Sequence, residues 1–405
     1  MARANLLTWL KRELALKSNI RILLVQSVIG AAGYGMLSPI WQPFVLSLGA
    51  SMSILGGLRA ILTLLGSSSS LLWGKLSDRA GRKPLILLAY ALRATALMVC
   101  LFAKAWYLLI LYAIFMGLSA SFQQYNPAMA SLVAESVSKE ERGTAYSVIM
   151  ASSTIVSAVV APIGGILAMM YGFNLIFLGC IAVDLFNILL TWLFIKETLE
   201  EKVRTTFQHG RKWLCKLREM FRPERHLREF YLATTVDAFA WGIGSYILYG
   251  MLVKTYNFTE YQLGLLSTIL SLVWGISQIP IGKLIDRYGR KLFLLISELI
   301  GTFTLLGWLL SRSFLAFAIL QIPFGIMIAA WVPAIAALLA DSVPMEKRAE
   351  AMGRLQAFRG LLAFPAPYVG GLLFDEFGFS VPILVNLIGS FTAFCFIFFL
   401  VKEKS

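Results

Sequence analysis

Long apolar runs alternate with short clusters of charged residues along the whole chain. A helix of about 20 apolar residues crosses the ~30 Å hydrocarbon core of a bilayer, and backbone polar groups in that layer have to be satisfied within the segment. The predicted fold class is therefore an all-α integral membrane protein. Its twelve membrane-spanning helices, called spans 1 to 12, are predicted at residues 20–46, 53–74, 84–102, 106–133, 143–170, 173–195, 230–253, 262–283, 292–310, 314–339, 352–374 and 381–401.

The charged segment after span 2 is repeated after span 8. Residues 74–83 read GKLSDRAGRK, and residues 282–291 read GKLIDRYGRK. Repeats on this scale indicate a duplicated six-helix unit, and two parallel six-helix halves are a known plan for transporters with a substrate site between them. The predicted domains are an N-terminal half at 1–195, a central loop at 196–229 and a C-terminal half at 230–405. Later landmarks repeat at an offset of 206 residues: Glu135 with Asp341, Arg142 with Arg348, and Gly164-Gly165 with Gly370-Gly371.

Lysine and arginine residues predict the topology. They precede span 1 and fill the loops after the even-numbered spans, whereas the opposite side offers only Lys104, Lys254 and Arg312. Because cytoplasmic loops carry such an excess, we expect a multi-pass cell-membrane protein with both termini in the cytoplasm. Amphipathic interfacial segments are expected before span 1 and in the central loop. The net charge of +14 follows from this bias, so anionic membrane lipids are expected partners and nucleic acid is not.

Residues suited to metal binding or catalysis are scarce. Hydrophobic residues make up 58% of the chain, the four cysteines show no paired spacing, and the only histidines, His209 and His226, lie in the central loop. No nucleophile elbow or metal-ligand pattern is present in the sequence. We therefore expect no enzyme activity, no cofactor and no metal.

The repeated segment, Gly-x-Leu-x-Asp-Arg-x-Gly-Arg-Lys, resembles the signature loop between helices two and three of the major facilitator superfamily. The resemblance covers essentially the whole chain. The start of span 1, GYGMLSP at 33–39, is similar to the twelve-helix drug:proton antiporter branch. The chain departs from that branch at Ala113, where antiporters often carry arginine, and at 161–165, where the span 5 pattern is one residue short. The resemblance therefore implies the major facilitator fold and alternating access, and it leaves the antiport subtype open.

The repeated segment is predicted to act as a gate on the cytoplasmic side. Gly74 and Gly282 allow close helix approach. Asp78 and Asp286 can accept hydrogen bonds from neighbouring arginines, and the resemblance implies that they face the positive N-termini of spans 11 and 5. The alternative is that the arginines only anchor the loops to lipid headgroups. The candidate gate residues are Gly74, Asp78, Arg79, Gly81, Arg82, Lys83, Gly282, Asp286, Arg287, Gly289, Arg290 and Lys291.

Six ionisable residues fall inside predicted spans, where each costs at least ~2.5 kcal/mol to bury. The resemblance implies that spans 1, 4, 7 and 10 line the cavity, that spans 2, 5, 8 and 11 form the seam between the halves, and that the others stand outside. Arg93 and Asp184 are then expected to pair and brace the first half. Glu298 is expected to extend towards the interface. The other three are Asp237, Arg59 and Arg359.

Asp237 lies on a span implied to line the cavity, so it is the leading candidate for a proton or cation site; packing near the helix start is the alternative. Arg59 and Arg359 are expected either to meet an anionic substrate or to lock the halves together. Aromatic and amide side chains on the cavity spans suit amphiphilic ligands, although such residues also serve plain helix packing. These candidates are Tyr34, Gln42, Gln124, Asn126, Trp241 and Trp331.

The predicted function is secondary active transport: proton-coupled efflux of small hydrophobic or amphiphilic compounds by a monomer. The alternative within transport is a symporter or uniporter for an organic anion or a sugar. A receptor or scaffold that does not transport is the alternative from another class, and it would not need two intact gate segments.

Overall fold

The computed structural model describes residues 18–119, 127–138, 141–198, 227–344 and 348–401. They form helices and no strand, which confirms the all-α membrane fold. Eleven helical stretches are long and apolar enough to cross a membrane, and Trp106–Leu118 is a shorter apolar one. The helices are Ser18–Ser47, Met52–Ala80, Arg82–Phe102, Leu109–Leu118, Pro127–Ser136, Arg142–Tyr171, Phe173–Phe194, Arg228–Gly244, Leu248–Tyr256, Glu260–Tyr288, Arg290–Leu310, Phe314–Ser342, Arg348–Ala363, Ala366–Phe377 and Ser380–Leu400.

The helices define two sides of the bundle. The motif side carries the turns at Gly81 and Gly289, and the far side carries the turns at Gly49, Gly172 and Gly378. These glycines have positive φ angles, which an L side chain adopts only with strain. The interfacial segments predicted before span 1 and in the central loop fall mainly on 1–17 and 199–226, outside the described residues.

The repeated segments were predicted as charged segments that follow spans 2 and 8, but most of each segment is helical. Spans 2 and 8 continue to Ala80 and Tyr288, and each helix ends at a glycine whose φ is 100° or 99°. The amide of Gly81 donates to Ser77, and the amide of Gly289 donates to Ile285, at 3.2 and 3.0 Å. The two copies thus adopt the same backbone conformation at the boundary with the next span.

Spans 7 and 11 are interrupted near their middles. Span 7 passes through a short 3₁₀ turn at Ser245–Ile247, and span 11 breaks between Ala363 and Ala366. Pro365 and Pro367 explain the second break, because proline lacks an N–H donor and clashes with the preceding helical turn. Both breaks lie beside the seam between the halves. Each break changes the direction of the far-side segment of its span.

Among the described residues, the shared apolar core joins the halves on the far side. One cluster combines first-half residues such as Phe44 and Leu55 with second-half residues such as Met251 and Leu263. On the motif side each half has its own core, one around Leu85 and Leu132 and one around Leu294 and Leu338. The described conformation is therefore sealed on the far side, with the halves packed separately on the motif side.

Close backbone approaches hold the far-side seal. A Cβ atom added at Gly165 would strike the backbone of Glu260 in span 8, and one added at Gly371 would strike the backbone of Met52 in span 2. Further along the same seam, the Thr268 hydroxyl donates to the carbonyl of Ala158 at 2.6 Å. The second glycine of each repeated pair thus touches the opposite half, which accounts for its occurrence in both copies.

Candidate functional site

A cavity of about 500 Å³ lies within the first half. All six spans of that half contribute to its lining, including spans 3 and 6, which the resemblance places outside. Its volume falls in the range of ~300–1,000 Å³ typical of small-molecule sites. The lining side chains that carry polar or aromatic groups are Gln26, Ser27, Tyr34, Ser38, Trp41, Arg59, Tyr90, Arg93, Tyr112, Ser153, Ser157 and Asn187.

The expected ion pair between Arg93 and Asp184 is present in the wall of this cavity. Nη2 of Arg93 lies 3.1 Å from Oδ1 of Asp184. The Tyr34 hydroxyl donates to Oδ2 of Asp184 at 2.6 Å and accepts from Nε of Arg93 at 3.1 Å. Asp184 is fully buried, whereas the Arg93 side chain is 15% exposed. The guanidinium reaches past span 1 and stacks on the Tyr34 ring, so Arg93 both braces the half and faces the cavity.

Asp184→Ala is expected to lower the free energy of unfolding by about 3–5 kcal/mol, because it leaves the mostly buried Arg93 guanidinium without its counter-ion. Thermal unfolding of the purified protein in detergent measures the loss. The double variant Arg93→Met with Asp184→Leu should recover most of the stability, since it removes both charges. A double variant as unstable as Asp184→Ala would contradict this assignment.

A second cavity, of about 180 Å³, lies in the other half between spans 7, 9, 10 and 11. Trp241 and Trp331 line it, and Trp241 stacks on Phe324 with ring centroids 5.5 Å apart. Its charged lining residues are Asp237, Glu298 and Arg359, which come from three different spans. The two cavities therefore differ in both size and charge.

Asp237, Glu298 and Arg359 form one buried cluster. Nη2 of Arg359 lies 3.3 Å from Oδ2 of Asp237, and Nε of Arg359 donates to the carbonyl of Thr234 at 3.1 Å. Asp237 and Glu298 line the same cavity, and their carboxyl groups are close enough to interact electrostatically. Ser390 donates to Oε2 of Glu298 at 2.5 Å. Glu298 is only 2% exposed, so the expectation that it extends towards the interface is wrong: Asp237 and Ser390 hold it inside.

Two candidate residues connect the halves beside these cavities. The Arg59 guanidinium lies over the ring of Tyr246, 4.8 Å from its centroid. Gln42 lies in the seam, where it donates to the Tyr246 carbonyl at 3.0 Å and accepts from the amide of Gly250 at 2.6 Å. Tyr246 also lines the second cavity, so the contact between Arg59 and Tyr246 separates the two chambers.

The two gate segments make matching contacts, each within its own half. Arg82 pairs with Glu135 at 2.8 Å, and Arg290 pairs with Asp341 at 2.9 Å. Lys83 and Lys291 donate to carbonyls in the last spans of their halves, at Trp192 and Phe398, at 2.8 and 2.9 Å. The aligned landmarks Glu135 and Asp341 are thus partners of the aligned arginines. These contacts attach each segment to the later spans of its own half.

The gate contacts predicted between the halves are not made by the described residues of the second segment. Asp286 is exposed and has no hydrogen bond or ion pair to another described residue. Nothing among the described residues lies within 4 Å of a Cβ added at Gly282, and Arg287 stacks on the adjacent Tyr288 ring at 5.3 Å. This agrees with separate packing of the halves on the motif side.

Several candidate site residues lie partly or wholly outside the described residues. Gly74 and Asp78 lie in the helix Met52–Ala80, but nothing is described of the Asp78 side chain, and Gln124 and Asn126 lie between residues 119 and 127, outside the described residues. Arg79 lies in the last turn of span 2, and Gly81 ends that helix. Gly289 ends span 8 in the same way.

Asp375 makes a contact between the halves that was not predicted from the sequence. Its two carboxylate oxygens accept hydrogen bonds from the amides of Met52 and Ser53, at 3.0 and 2.8 Å. These amides open span 2, so an acidic group from span 11 satisfies the free donors of a helix N-terminus in the other half. The available signal was an acidic residue four positions after Gly371 at the far-side end of span 11. Its partner could be recognised only once spans 2 and 11 were known to meet.

Comparison with known proteins shows similarity over nearly the whole chain. Multidrug resistance protein MdtG from Enterobacter lignolyticus (strain SCF1) is 25% identical over 381 residues, covering 91% of this chain and 89% of that protein. Multidrug resistance protein MdtG from Proteus mirabilis (strain HI4320) is 26% identical over 397 residues, covering 93% and 96%. The solved structure of the nucleoside transporter NupG matches with a TM-score of 0.74 at 14% identity, covering 94% of this chain and 98% of that one. The human organic anion transporter MFSD10 gives 0.68 at 15% identity, covering 94% and 99%.

Two six-helix halves, sealed together on one side around an internal cavity, define a secondary transporter. A family model described as Major Facilitator Superfamily matches residues 23–253 and 230–405. The chain therefore belongs to the Major Facilitator Superfamily, whose members are transporters and, in general, not enzymes.

Proposed function

We propose that this transporter exports small hydrophobic or amphiphilic compounds in exchange for protons. The multidrug resistance proteins that it resembles over nine-tenths of its length support export. The first-half cavity, at about 500 Å³, supports a drug-sized cargo. Its lining mixes aromatic and apolar side chains with hydroxyl, amide and guanidinium groups, which suits amphiphilic ligands.

The observation that carries proton coupling is the pairing of Asp237 with Glu298 beside Arg359. Two carboxylates and one guanidinium leave one negative charge, and an unbalanced buried charge is expensive. One proton shared by the two carboxyl groups neutralises the cluster, in the manner of carboxyl pairs that titrate as a unit. The cluster thus has two natural states, which differ by one proton.

Arg359 gives the cluster a mechanical connection. It lies on span 11, where the next residue, Gly360, packs against Ser67 of span 2 in the opposite half. When the carboxyl pair takes up a proton, its hold on the guanidinium weakens, because only one negative charge remains. Arg359 and span 11 are then freer to move against span 2. Protonation in the second half can thereby bias the seam between the halves.

The motif side is proposed to face the cytoplasm of a monomer in the cell membrane, with 1–195 and 230–405 acting as the moving halves. The lysine and arginine bias supports that orientation. In the opposite state, Asp286 would meet the N-terminus of span 5, and Asp78 that of span 11. Asp375 would then release the amides of Met52 and Ser53 as the far side opens.

Reconstituted liposomes test the coupling. An acidic lumen is expected to drive an amphiphilic dye into liposomes against its gradient, because protons leave through the transporter as the dye enters. Each pH unit supplies ~1.4 kcal/mol per proton, equivalent to ~10-fold accumulation at one proton per substrate. Collapsing the gradient with a proton ionophore is the control. Accumulation that is indifferent to the pH gradient would overturn proton coupling.

A further inference from the structure

The two cavities differ enough in size to assign them different occupants. The second, at about 180 Å³, lies below the ~300–1,000 Å³ range of small-molecule sites. Its three charged residues are also engaged with one another. The first, at about 500 Å³, can enclose most of an organic molecule. The cargo therefore belongs in the first half, and the charged lining of that half decides which cargo fits.

The charged lining of the first cavity is exclusively basic. Among the described lining residues, Arg59 and Arg93 are the charged members, and none is an aspartate or a glutamate.

 Residues 120–126 lie outside the described residues, and their sequence, ASFQQYN, contains no acidic residue. A positively charged ligand would therefore meet two guanidinium groups and no carboxylate.

Asp184 does not change this conclusion, although it lies close behind the wall. It is fully buried, forms an ion pair with Arg93 and accepts a hydrogen bond from the Tyr34 hydroxyl. Asp184 is the counter-ion of Arg93, and Arg59 adds a second guanidinium group to the cavity wall. That guanidinium lies over the Tyr246 ring at the boundary with the second chamber. A ligand in the first cavity can reach it without displacing the pair formed by Arg93 and Asp184.

The same cavity offers aromatic surfaces for a flat ligand. Trp41 and Tyr112 stack with ring centroids 4.0 Å apart and an interplanar angle of 26°. Both rings line the cavity, together with those of Tyr34 and Tyr90. Aromatic rings favour offset stacking and edge contacts with other rings. A ligand whose ring system lies against these side chains and whose acidic group points at Arg59 would use both the aromatic surfaces and the guanidinium group.

We propose that the preferred cargo is an aromatic organic anion, bound in the first-half cavity with its acidic group at Arg59 and its rings against Trp41 and Tyr112. This rests on the proposed export function and narrows it. Neutral analogues bind through the rings alone, and lipophilic cations bind most weakly. The second-half cluster takes only the proton.

Equilibrium dialysis of the full chain in lipid nanodiscs tests the proposal with naphthoate, naphthylmethanol and naphthylmethylammonium, which share a ring and differ in charge. Empty nanodiscs correct for partition into lipid. The anion is expected to bind about tenfold more tightly than the cation, as a charge-assisted hydrogen bond to Arg59 implies. Tightest binding of the cation would overturn the proposal and move the cargo to the carboxyl cluster.

Arg59→Gln should weaken naphthoate binding about tenfold and leave naphthylmethanol within about twofold. Arg312→Gln, which removes a far-side arginine remote from the cavity, is the matched control and should change neither. An unchanged preference in Arg59→Gln would also overturn the proposal. The assay uses no proton gradient, so it is independent of coupling. Anion preference without gradient-driven transport would reject the proposed function alone.

Discussion

Asp237→Asn is expected to abolish gradient-driven accumulation while leaving substrate exchange across the membrane intact. With one carboxylate and one guanidinium, the cluster is neutral without a proton, so it no longer has two states that differ by one. Wild-type liposomes should accumulate dye ~10-fold per pH unit at one proton per substrate. The variant should only equilibrate it. Dye uptake with and without an acidic lumen measures gradient-driven accumulation. Counterflow of labelled dye measures substrate exchange.

Glu298→Gln should have the same effect, because it also leaves one carboxylate opposite Arg359. This expectation distinguishes proton binding by the carboxyl pair from proton binding by Asp237 alone. Glu376→Gln, at an exposed carboxyl on the far side, is the control and should behave as the wild type. Full coupling in Asp237→Asn would show that the proton is carried elsewhere. Loss of coupling in Asp237→Asn with full coupling in Glu298→Gln would leave Asp237 as the sole carrier.

The membrane is the reason that so much of the fold could be predicted. The hydrocarbon layer requires a fixed length of apolar helix, and eleven of the twelve predicted spans are found as helices of that length in the described residues, with a shorter apolar helix at the twelfth. The same solvent makes an isolated charge expensive, which is why Arg93 and Asp184 were expected to meet. Duplication supplied a second check, because the aligned pairs Arg82 with Glu135 and Arg290 with Asp341 make matching contacts in the structure.

The composition of the site was harder to predict, because it depends on helix rotation and on which helices touch. Glu298 lies on span 9, and only the packing of that span against spans 7 and 12 brings it to Asp237 and Ser390. Gln42 was expected in the cavity, but the rotation of span 1 directs it into the seam, where it binds Tyr246 and Gly250. Neither result follows from a hydrophobic pattern, which fixes the length of a span but not the face that each side chain occupies.

Contacts between the halves were the least predictable, because they belong to one conformation of a moving molecule. Asp375 meets the start of span 2 in the described conformation, in which the far side is closed. The far-side seal combines this helix-end contact with a shared apolar core, whereas the motif side has two separate cores. Sealing one side and opening the other are therefore linked through the rigid halves. Any change that prevents close approach on the far side should hold the molecule in the opposite state.

Gly371→Ala is expected to prevent that approach. Its Cβ would lie 2.6 Å from Cα of Ser53 and closer still to the carbonyl of Met52, all backbone atoms that a side-chain rotation cannot relieve. Overpacking of this kind costs ~1–3 kcal/mol, which shifts the balance between the two states by roughly 5- to 150-fold. Turnover should fall accordingly, because the far side closes only rarely.

A thiol at Leu55 reports the predicted change of state. Leu55 is 2% exposed and lies in the far-side core, so Leu55→Cys in a background without the native cysteines should resist a membrane-impermeant reagent. Adding Gly371→Ala should make it reactive from the far side, and Gly165→Ala should do the same through the other seam. Gly179→Ala is the matched control, because nothing lies within 4 Å of its added Cβ. Protection that persists in Gly371→Ala would mean that the seam absorbs the methyl group and that the paired glycines do not set the closed state.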